Sequence, residues 1–235
     1  MDKQSAIVNM FDNIAHSYDK ANRILSFGSD IVWRRRACRR ALYLYGQRAI
    51  NQITDVACGT GDMLRYWQKE VEHGGYAVAE YVGIDPSKEM LKIAQEKLPD
   101  FRFIEGYAQD LPLNDETSDL LSITYGIRNV VERQKALVEF YRVLKEDGIL
   151  VILEFTRRKK RTPIDKMVDW YMNNVLPKVG GWISGNKAAY EYLPNSIDNF
   201  LTTEQLIEEL EAIGFKIKDV RSFSFGISTM LIAQK

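Results

Sequence analysis

The sequence predicts an α/β fold built on a doubly wound, mostly parallel sheet of seven strands. Three observations predict it. From residue 53 onward, short β-branched runs alternate with stretches of helical periodicity. A glycine-punctuated turn, Ala57-Cys58-Gly59-Thr60-Gly61-Asp62, follows the strand-like Ile53-Thr54-Asp55-Val56 and runs into a helix. Two β-rich runs at 215–220 and 227–233 can pair as a closing antiparallel hairpin.

Taken in order, residues 1–48 read as helical. Ile7, Val8, Phe11, Ile14 and Ala15 recur at helical spacing, and so do Trp33, Ala37, Ala41 and Leu44. Between these helices, residues 22–30 read as a loop, with Gly28 able to hinge it. Strands are expected at 53–57, 81–85, 101–105, 119–124 and 149–155. Helices are expected near 61–72, 87–97 and 132–145, with Ser87 a cap for the second. Lys145-Glu146-Asp147-Gly148 reads as the end of the third helix. From 156 to 200 the alternation lapses. That stretch is aromatic, with Trp170, Tyr171, Trp182, Tyr190, Tyr192 and Phe200, and Pro163, Pro177 and Pro194 divide it into short pieces. It reads as a helical insertion packed over the open edge of the sheet. Thr203–Ile213 returns as a helix capped by Thr202 or Thr203. The expected organisation is one domain over 1–235: an N-terminal helical lid (1–48), a cofactor-binding core (49–155), a substrate-side insertion (156–200), and a final helix with hairpin (201–235).

Composition narrows the classes. The chain has 235 residues, 46% hydrophobic and 27% charged, as in a soluble globular protein. Thirty-two basic residues balance 32 acidic ones, so no global attraction to nucleic acid is expected. Basic residues do cluster at Arg34–Arg36 with Arg39 and Arg40, and at 157–161. Those runs can rest against an anionic membrane surface or form a solvated face. Two isolated cysteines make neither a disulfide framework nor a metal site, and no metal is expected. No signal segment opens the chain and no apolar run is long enough to span a bilayer. The expected location is the cytoplasm, in solution or at the inner face of the cell membrane. Oligomeric state is left open, with a homodimer among the options.

The glycine turn carries chemistry. Glycine permits positive φ and a close approach of backbone to ligand. About two dozen residues on, Val82-Gly83-Ile84-Asp85 is a strand ending in an acid, which can accept both hydroxyls of a ribose. The third glycine of a dinucleotide fingerprint is missing, since Met63 and Leu64 follow Asp62. The cofactor therefore carries adenosine without a pyrophosphate, and S-adenosyl-L-methionine leads the candidates. A ligand-free strand–turn–helix gives no reason for the position of Asp85.

These residues, with others, resemble the menaquinone/ubiquinone biosynthesis C-methyltransferases over nearly the whole chain. The resemblance runs through Met10-Phe11-Asp12-Asn13-Ile14-Ala15, Tyr18-Asp19, Leu25-Ser26-Phe27-Gly28, Trp33-Arg34, Asp55–Asp62 and Gly83–Ser87. Its narrowest pieces are Tyr125-Gly126-Ile127-Arg128-Asn129-Val130, Leu153-Glu154-Phe155 and Tyr190–Ile197. The resemblance implies a class I S-adenosylmethionine-dependent methyltransferase that methylates a ring carbon of a polyprenyl quinol. It implies cofactor contacts from Gly59, Thr60, Gly61, Asp62, Asp85, Tyr107, Ala108 and Thr124, with Asp62 on the methionine amino group. Two positions depart from the family. Tyr107 stands where the family usually has an Asp or Asn on the adenine amino group, leaving Asp110 as a substitute. The histidine often found in the last hairpin is absent.

The resemblance further implies that Arg128 and Asn129, with Tyr18, carry the reaction. A phenol ionises near pH 10, so a ring carbon becomes strongly nucleophilic only with help. Arg128 stays charged and can stabilise the phenolate or hold the water that removes its proton. It can equally serve as an ion-pair partner of Glu154 or Asp62, and Tyr18 as a packed core residue. A groove for the prenyl tail is expected from residues 163–200, with Met167, Trp170, Met172, Leu176 and Trp182 as lining or as simple packing of the insertion, or from the N-terminal helices. Methylation of another small molecule and cofactor binding without catalysis remain as alternatives.

Overall fold

The computed structural model describes residues 2–158 and 163–235. Five strands run parallel: β1 (Ala49–Val56), β2 (Ala77–Asp85), β3 (Arg102–Glu105), β4 (Ser118–Thr124) and β5 (Leu144–Glu154). β6 (Lys216–Phe223) and β7 (Ser228–Gln234) close the sheet as an antiparallel hairpin. The strand order is β3-β2-β1-β4-β5-β7-β6. Chain direction across the sheet reverses between β1 and β4. In a doubly wound sheet the crevice at that switch point is where ligands bind.

Two helical layers cover the sheet. Helices α2 (Ser29–Tyr45) and α3 (Asp62–Gly74) bury Trp33, Ala37, Ala41, Leu64 and Trp67 on one face. Helices α5 (Arg133–Val143) and α9 (Thr203–Ile213) bury Leu137, Phe140, Leu206 and Leu210 on the other. The short α4 (Lys88–Lys97) starts at Ser87, whose Oγ accepts from the Met90 amide. Thr202 opens α9 with a reciprocal capping box to Gln205. Both caps follow the sequence reading.

Several elements differ from that reading. β1 and β2 begin four residues earlier than their β-branched runs, because Ala49 and Ile50 pair with Ala77 and Val78. Most of the expected loop at 22–30 is helix. α1 runs Lys3–Leu25 and α2 begins at Ser29, so residues 26–28 make the whole turn, with Gly28 left-handed at φ 73°. The tetrapeptide Lys145–Gly148 lies inside β5, not at the end of a helix. The register steps from Ser118↔Leu144 to Leu120↔Ile149, and 145–148 bulge out between those pairs.

The insertion is helical, in α6 (Pro163–Trp170), a π turn (Tyr171–Val175), α7 (Leu176–Ser184) and α8 (Lys187–Asp198). Among the described residues it packs chiefly on helix α1. Leu176, Ala189 and Tyr190 pack against Ile14 and Ala21 of α1, and α8 touches the 3-10 turn Ile127–Asn129 beyond β4. The prolines divide it less than expected, since Pro194 sits inside α8. Of the basic run at 157–161, Lys159, Lys160 and Arg161 lie outside the described residues. Among the described residues no helix is long and apolar enough to cross a membrane.

Candidate active site at the switch point

The turn after β1 is held in an unusual backbone shape. Ala57, Gly59 and Gly61 all have positive φ, at 51°, 54° and 82°. The Gly59 amide donates to Asp85 Oδ2 at 2.8 Å, and the Ser87 amide to Asp85 Oδ1 at 2.8 Å. The loop is thereby fastened to the tip of β2. A carboxylate has about four acceptor sites, so two remain on Asp85 for a vicinal diol. Burial pushes this acid up to about 6, against the two amides that favour its charged form.

Asp85, Gly59, Ala57, Thr124, Tyr125, Gly126 and Asn129 line one cleft, closed on its far side by Tyr107, Ala108 and Gln109. Thr124 Oγ1 on this wall is buried with no hydrogen-bond partner among the described residues, a polar atom that a bound ligand can satisfy. A free diol acceptor and an orphan hydroxyl, beside a glycine loop, fit a nucleoside-bearing cofactor.

Helix α1 roofs the cleft with Gln4, Ile7, Val8 and Phe11. Polar clasps hold it down along its length. Gln4 Oε1 accepts from the Val131 amide at 3.0 Å, and Asp12 Oδ1 from Ser87 Oγ at 2.5 Å. Asp19 Oδ1 accepts from Thr60 Oγ1 at 2.6 Å and pairs with Lys97, and Arg23 pairs with Asp62.

A second cavity, of about 520 Å³, lies between α1, the 26–28 turn and the helical insertion. Its wall is mostly apolar and includes Ile14, Leu25, Trp33, Phe155, Met172 and Leu176. Phe11, Tyr18 and Tyr125 line both spaces, so the two meet at these rings. Tyr125 has φ 56°, a strained conformation for an aromatic residue. Its amide bonds Leu153 O at 2.7 Å, its hydroxyl Ser228 Oγ at 2.9 Å, and its ring stacks on Phe155 at 4.4 Å.

Arg128 belongs to the wall of this second cavity. Its Nη1 donates to Glu154 Oε1 at 2.6 Å and to Tyr125 O at 2.7 Å, and its Nε to Ser196 Oγ at 3.2 Å. Among the described residues Nη2 has no protein partner. Glu154 is fully buried, which raises its carboxyl above the usual range, while Arg128 and the Phe155 amide favour its charge. Asn129 lines the first cleft, and its Oδ1 accepts from the OH of Tyr192, a residue of the second cavity, at 3.1 Å. Burial holds the Tyr18 phenol above its ordinary value, although Arg128, Asn22 and Arg34 pull it down.

Of the predicted site residues, Gly59, Asp85, Tyr107, Ala108, Thr124, Asn129 and Tyr18 come together on the first cleft. Thr60, Gly61 and Asp62 are not on its wall. Thr60 and Asp62 are spent on clasping α1, and a Cβ at Gly61 would meet Leu98 at 3.1 Å. Asp110 is tied back to Tyr107 through its amide, and Gln109 faces the cleft instead. Of the Arg128 ion-pair options, Glu154 is the one formed. Trp182 is exposed and outside the second cavity, whereas Met167, Trp170, Met172 and Leu176 line it. Four of the five arginines between Arg34 and Arg40 are paired within the chain, two of them on one carboxylate. Arg35 and Arg39 pair with Glu70, Arg40 with Asp219, and Arg34 with Asp30. The sequence reading placed a helical lid over 1–48 without naming Gln4, Ile7, Val8 and Phe11 as its inner face, and it missed Tyr125 as a ligand wall.

A family model described as the ubiE/COQ5 methyltransferase family matches residues 1–235. The chain is 56% identical over 235 residues, covering 100% of both chains, to a ubiquinone/menaquinone biosynthesis C-methyltransferase UbiE of Campylobacter jejuni subsp. jejuni serotype O:23/36. It is 39% identical over 210 residues to a demethylmenaquinone methyltransferase of Thermotoga maritima, covering 89% of this chain and 88% of that one. A solved SAM-dependent methyltransferase of Thermotoga maritima, a possible histamine N-methyltransferase, superposes with a TM-score of 0.64. It shares 18% identity, over 97% of this chain and 99% of the other, and so shares the fold.

Proposed function

The chain belongs to the ubiE/COQ5 methyltransferase family, and on that premise we propose that it transfers a methyl group from S-adenosyl-L-methionine to a ring carbon of a polyprenyl quinol in respiratory quinone biosynthesis. The observation that carries the reading is the pair of spaces meeting at Phe11, Tyr18 and Tyr125, one suited to a nucleoside and one apolar with a guanidinium on its wall.

In this reading Asp85 takes the ribose hydroxyls, Thr124 and the Gly59 loop hold the rest of the cofactor, and Tyr107, Ala108 and Gln109 border the adenine. When bound, the cofactor supplies an electrophilic methyl group on a sulfonium, with a neutral thioether as leaving group. The chain's own task is to bring a ring carbon within about 3 Å of that methyl and make it electron-rich. Arg128, anchored by Glu154, offers its free Nη2 to the ring oxygen and stabilises the anion as the hydroxyl ionises. The Tyr18 phenol stays protonated at neutral pH and acts as a donor, not as a base. Asn129 sets the position of the 125–129 turn through Tyr125 O and Tyr192. Overall one proton is released to water for each methyl transferred.

The second cavity takes the start of the prenyl tail. Its mouth carries Phe27, Met167, Trp170 and Phe225, all large, apolar and exposed. We assign this rim, rather than the internally paired arginine run, to contact with the lipid surface from which the acceptor comes. Burying such side chains stabilises by about 1.5–3 kcal/mol each, and the contact is expected to resist salt. The test is flotation with phosphatidylcholine vesicles at low and high salt. The wild-type chain should float in both and a Phe27→Ser/Phe225→Ser variant should not. Flotation only with anionic vesicles at low salt would shift the contact to the arginines.

The activity is tested by incubating the protein with methyl-labelled cofactor and a panel of prenyl quinols, followed by mass spectrometry of the lipid extract. Label on a quinol ring carbon is the expected result. Label only on short polar acceptors, with every prenyl quinol unchanged, would overturn the assignment.

A further inference from the structure

A second guanidinium shares the acceptor cavity. Arg34 is nearly buried and forms part of the same wall as Arg128. Its Nη1 pairs with Asp30 Oδ2 at 2.8 Å. Asp30 is itself held by Ser26 Oγ at 2.7 Å and by Arg23. The Arg34 Nε, by contrast, is buried with no hydrogen-bond partner among the described residues. A buried charged donor left unpaired is costly, and the side chain that carries it lines a ligand cavity.

The arrangement around the two arginines is paired. Arg34 lies 5.2 Å from the centre of the Tyr125 ring and Arg128 lies 5.5 Å from that of Phe155. The two rings are stacked 4.4 Å apart. Each guanidinium has its own buried carboxylate, Asp30 for Arg34 and Glu154 for Arg128. Among the described residues each retains donor capacity that the protein does not use, at Nε of Arg34 and at Nη2 of Arg128. An aromatic ring with oxygens at opposite ends matches this pattern, whereas a ring with a single oxygen satisfies only one of the two donors.

Building on the quinol reading above, we propose that Arg34 is the residue that binds the second oxygen of the acceptor ring, its Nε–H donating to the hydroxyl remote from the methylated carbon. Arg128 holds the near oxygen, where charge develops, and Arg34 holds the far one, where it does not. Arg34 thereby makes the site selective for para-diols over monophenols of the same shape. A site built to bond a substrate hydroxyl rejects the analogue lacking it by a large factor, because its own donor is left buried and unpaired.

The test compares kcat/KM for a short-chain prenyl quinol with that for its analogue lacking the far hydroxyl, in wild type and in Arg34→Lys. Lysine keeps the charge beside Asp30 and removes the planar Nε–H. Wild type should prefer the diol by about tenfold or more. In Arg34→Lys the preference should fall toward one, mostly through KM for the diol. Cofactor affinity and the melting temperature report that the fold is kept. Should lysine fail to fold, Asp30→Asn/Arg34→Gln removes the buried pair together and is read in the same way. An unchanged diol preference in either folded variant would overturn the proposal. If wild type methylates no quinol at all, the underlying acceptor assignment falls instead, and the two failures are told apart by the wild-type control.

Discussion

Adding one methyl group at Gly126 tests how the two strand-end loops form the cleft. A Cβ at this position would stand 2.6 Å from Ala57 Cβ and 3.2 Å from Ile123 Cγ1. Carbon atoms pack at about 3.5–4.0 Å, so Gly126→Ala forces the 125–129 turn and the Ala57 turn apart by roughly 1 Å. Overpacking of this kind costs about 1–3 kcal/mol. For a chain of this size, each kcal/mol lowers Tm by about 2–4 °C. The same displacement moves two walls of the cofactor cleft, so affinity for S-adenosylmethionine should fall with stability. The compensating change is Ala57→Gly. It removes the opposing methyl and relieves a residue held at φ 51°, a conformation that costs L-residues about 1–2 kcal/mol. Thermal melts followed by circular dichroism, with calorimetric titration of the cofactor, read both effects. The single variant should melt several degrees low and bind weakly, and the double variant should recover on both counts. The reasoning is refuted if Gly126→Ala melts within a degree of wild type, or if Ala57→Gly brings no recovery.

Three further outcomes are expected. Asp85 sits near 6 in place of its ordinary 3.8. Between those values the folded state keeps a proton that the unfolded state has lost, so the free protein should lose stability as pH rises through this window. Cofactor binding needs the charged carboxylate, so affinity should rise over the same range and fall up to about tenfold per unit below pH 6; titrations at pH 5, 6 and 7 measure this, and Asp85→Asn should flatten the profile. Removing two clasps of α1 with Asp12→Ala/Asp19→Ala should loosen the roof by about 2 kcal/mol in all, seen in stopped flow as roughly thirtyfold faster cofactor release. Arg128→Lys, which cannot keep the forked contact with Glu154 and Tyr125, should lower kcat by about two orders of magnitude with cofactor affinity unchanged, and an equal loss in cofactor affinity would reassign Arg128 to the cleft.

The sequence made local structure readable and left its assembly unread. Ser87 and Thr202 were readable as caps because a cap is a contact across three residues. The glycine turn was readable because strand, turn and helix are contiguous, and Asp85 because it ends the next strand in the chain. The early starts of β1 and β2 were not, since they depend on a neighbour's register. Arg23 and Asp62 lie 39 residues apart, and nothing near either residue says they will meet. Asp62 and Thr60 sit in the most informative motif of the chain, yet their side chains turn to α1 rather than to the cleft. The aromatic content of the insertion marks it as packed, but its seat against helix α1 and near the turn beyond β4 rests on contacts remote in sequence.

Helix α1 covers two chambers at once. Gln4 to Phe11 line the cleft assigned to the nucleoside, and Met10 to Leu25 the cavity assigned to the lipid. Because a helix is stiff, lifting one end disturbs the seal at the other. Exchange of spent cofactor is then coupled to departure of the methylated lipid, and turnover acquires an order that neither chamber would impose by itself. A saturating lipid product should slow escape of the nucleoside, and a nucleoside inhibitor should trap the lipid.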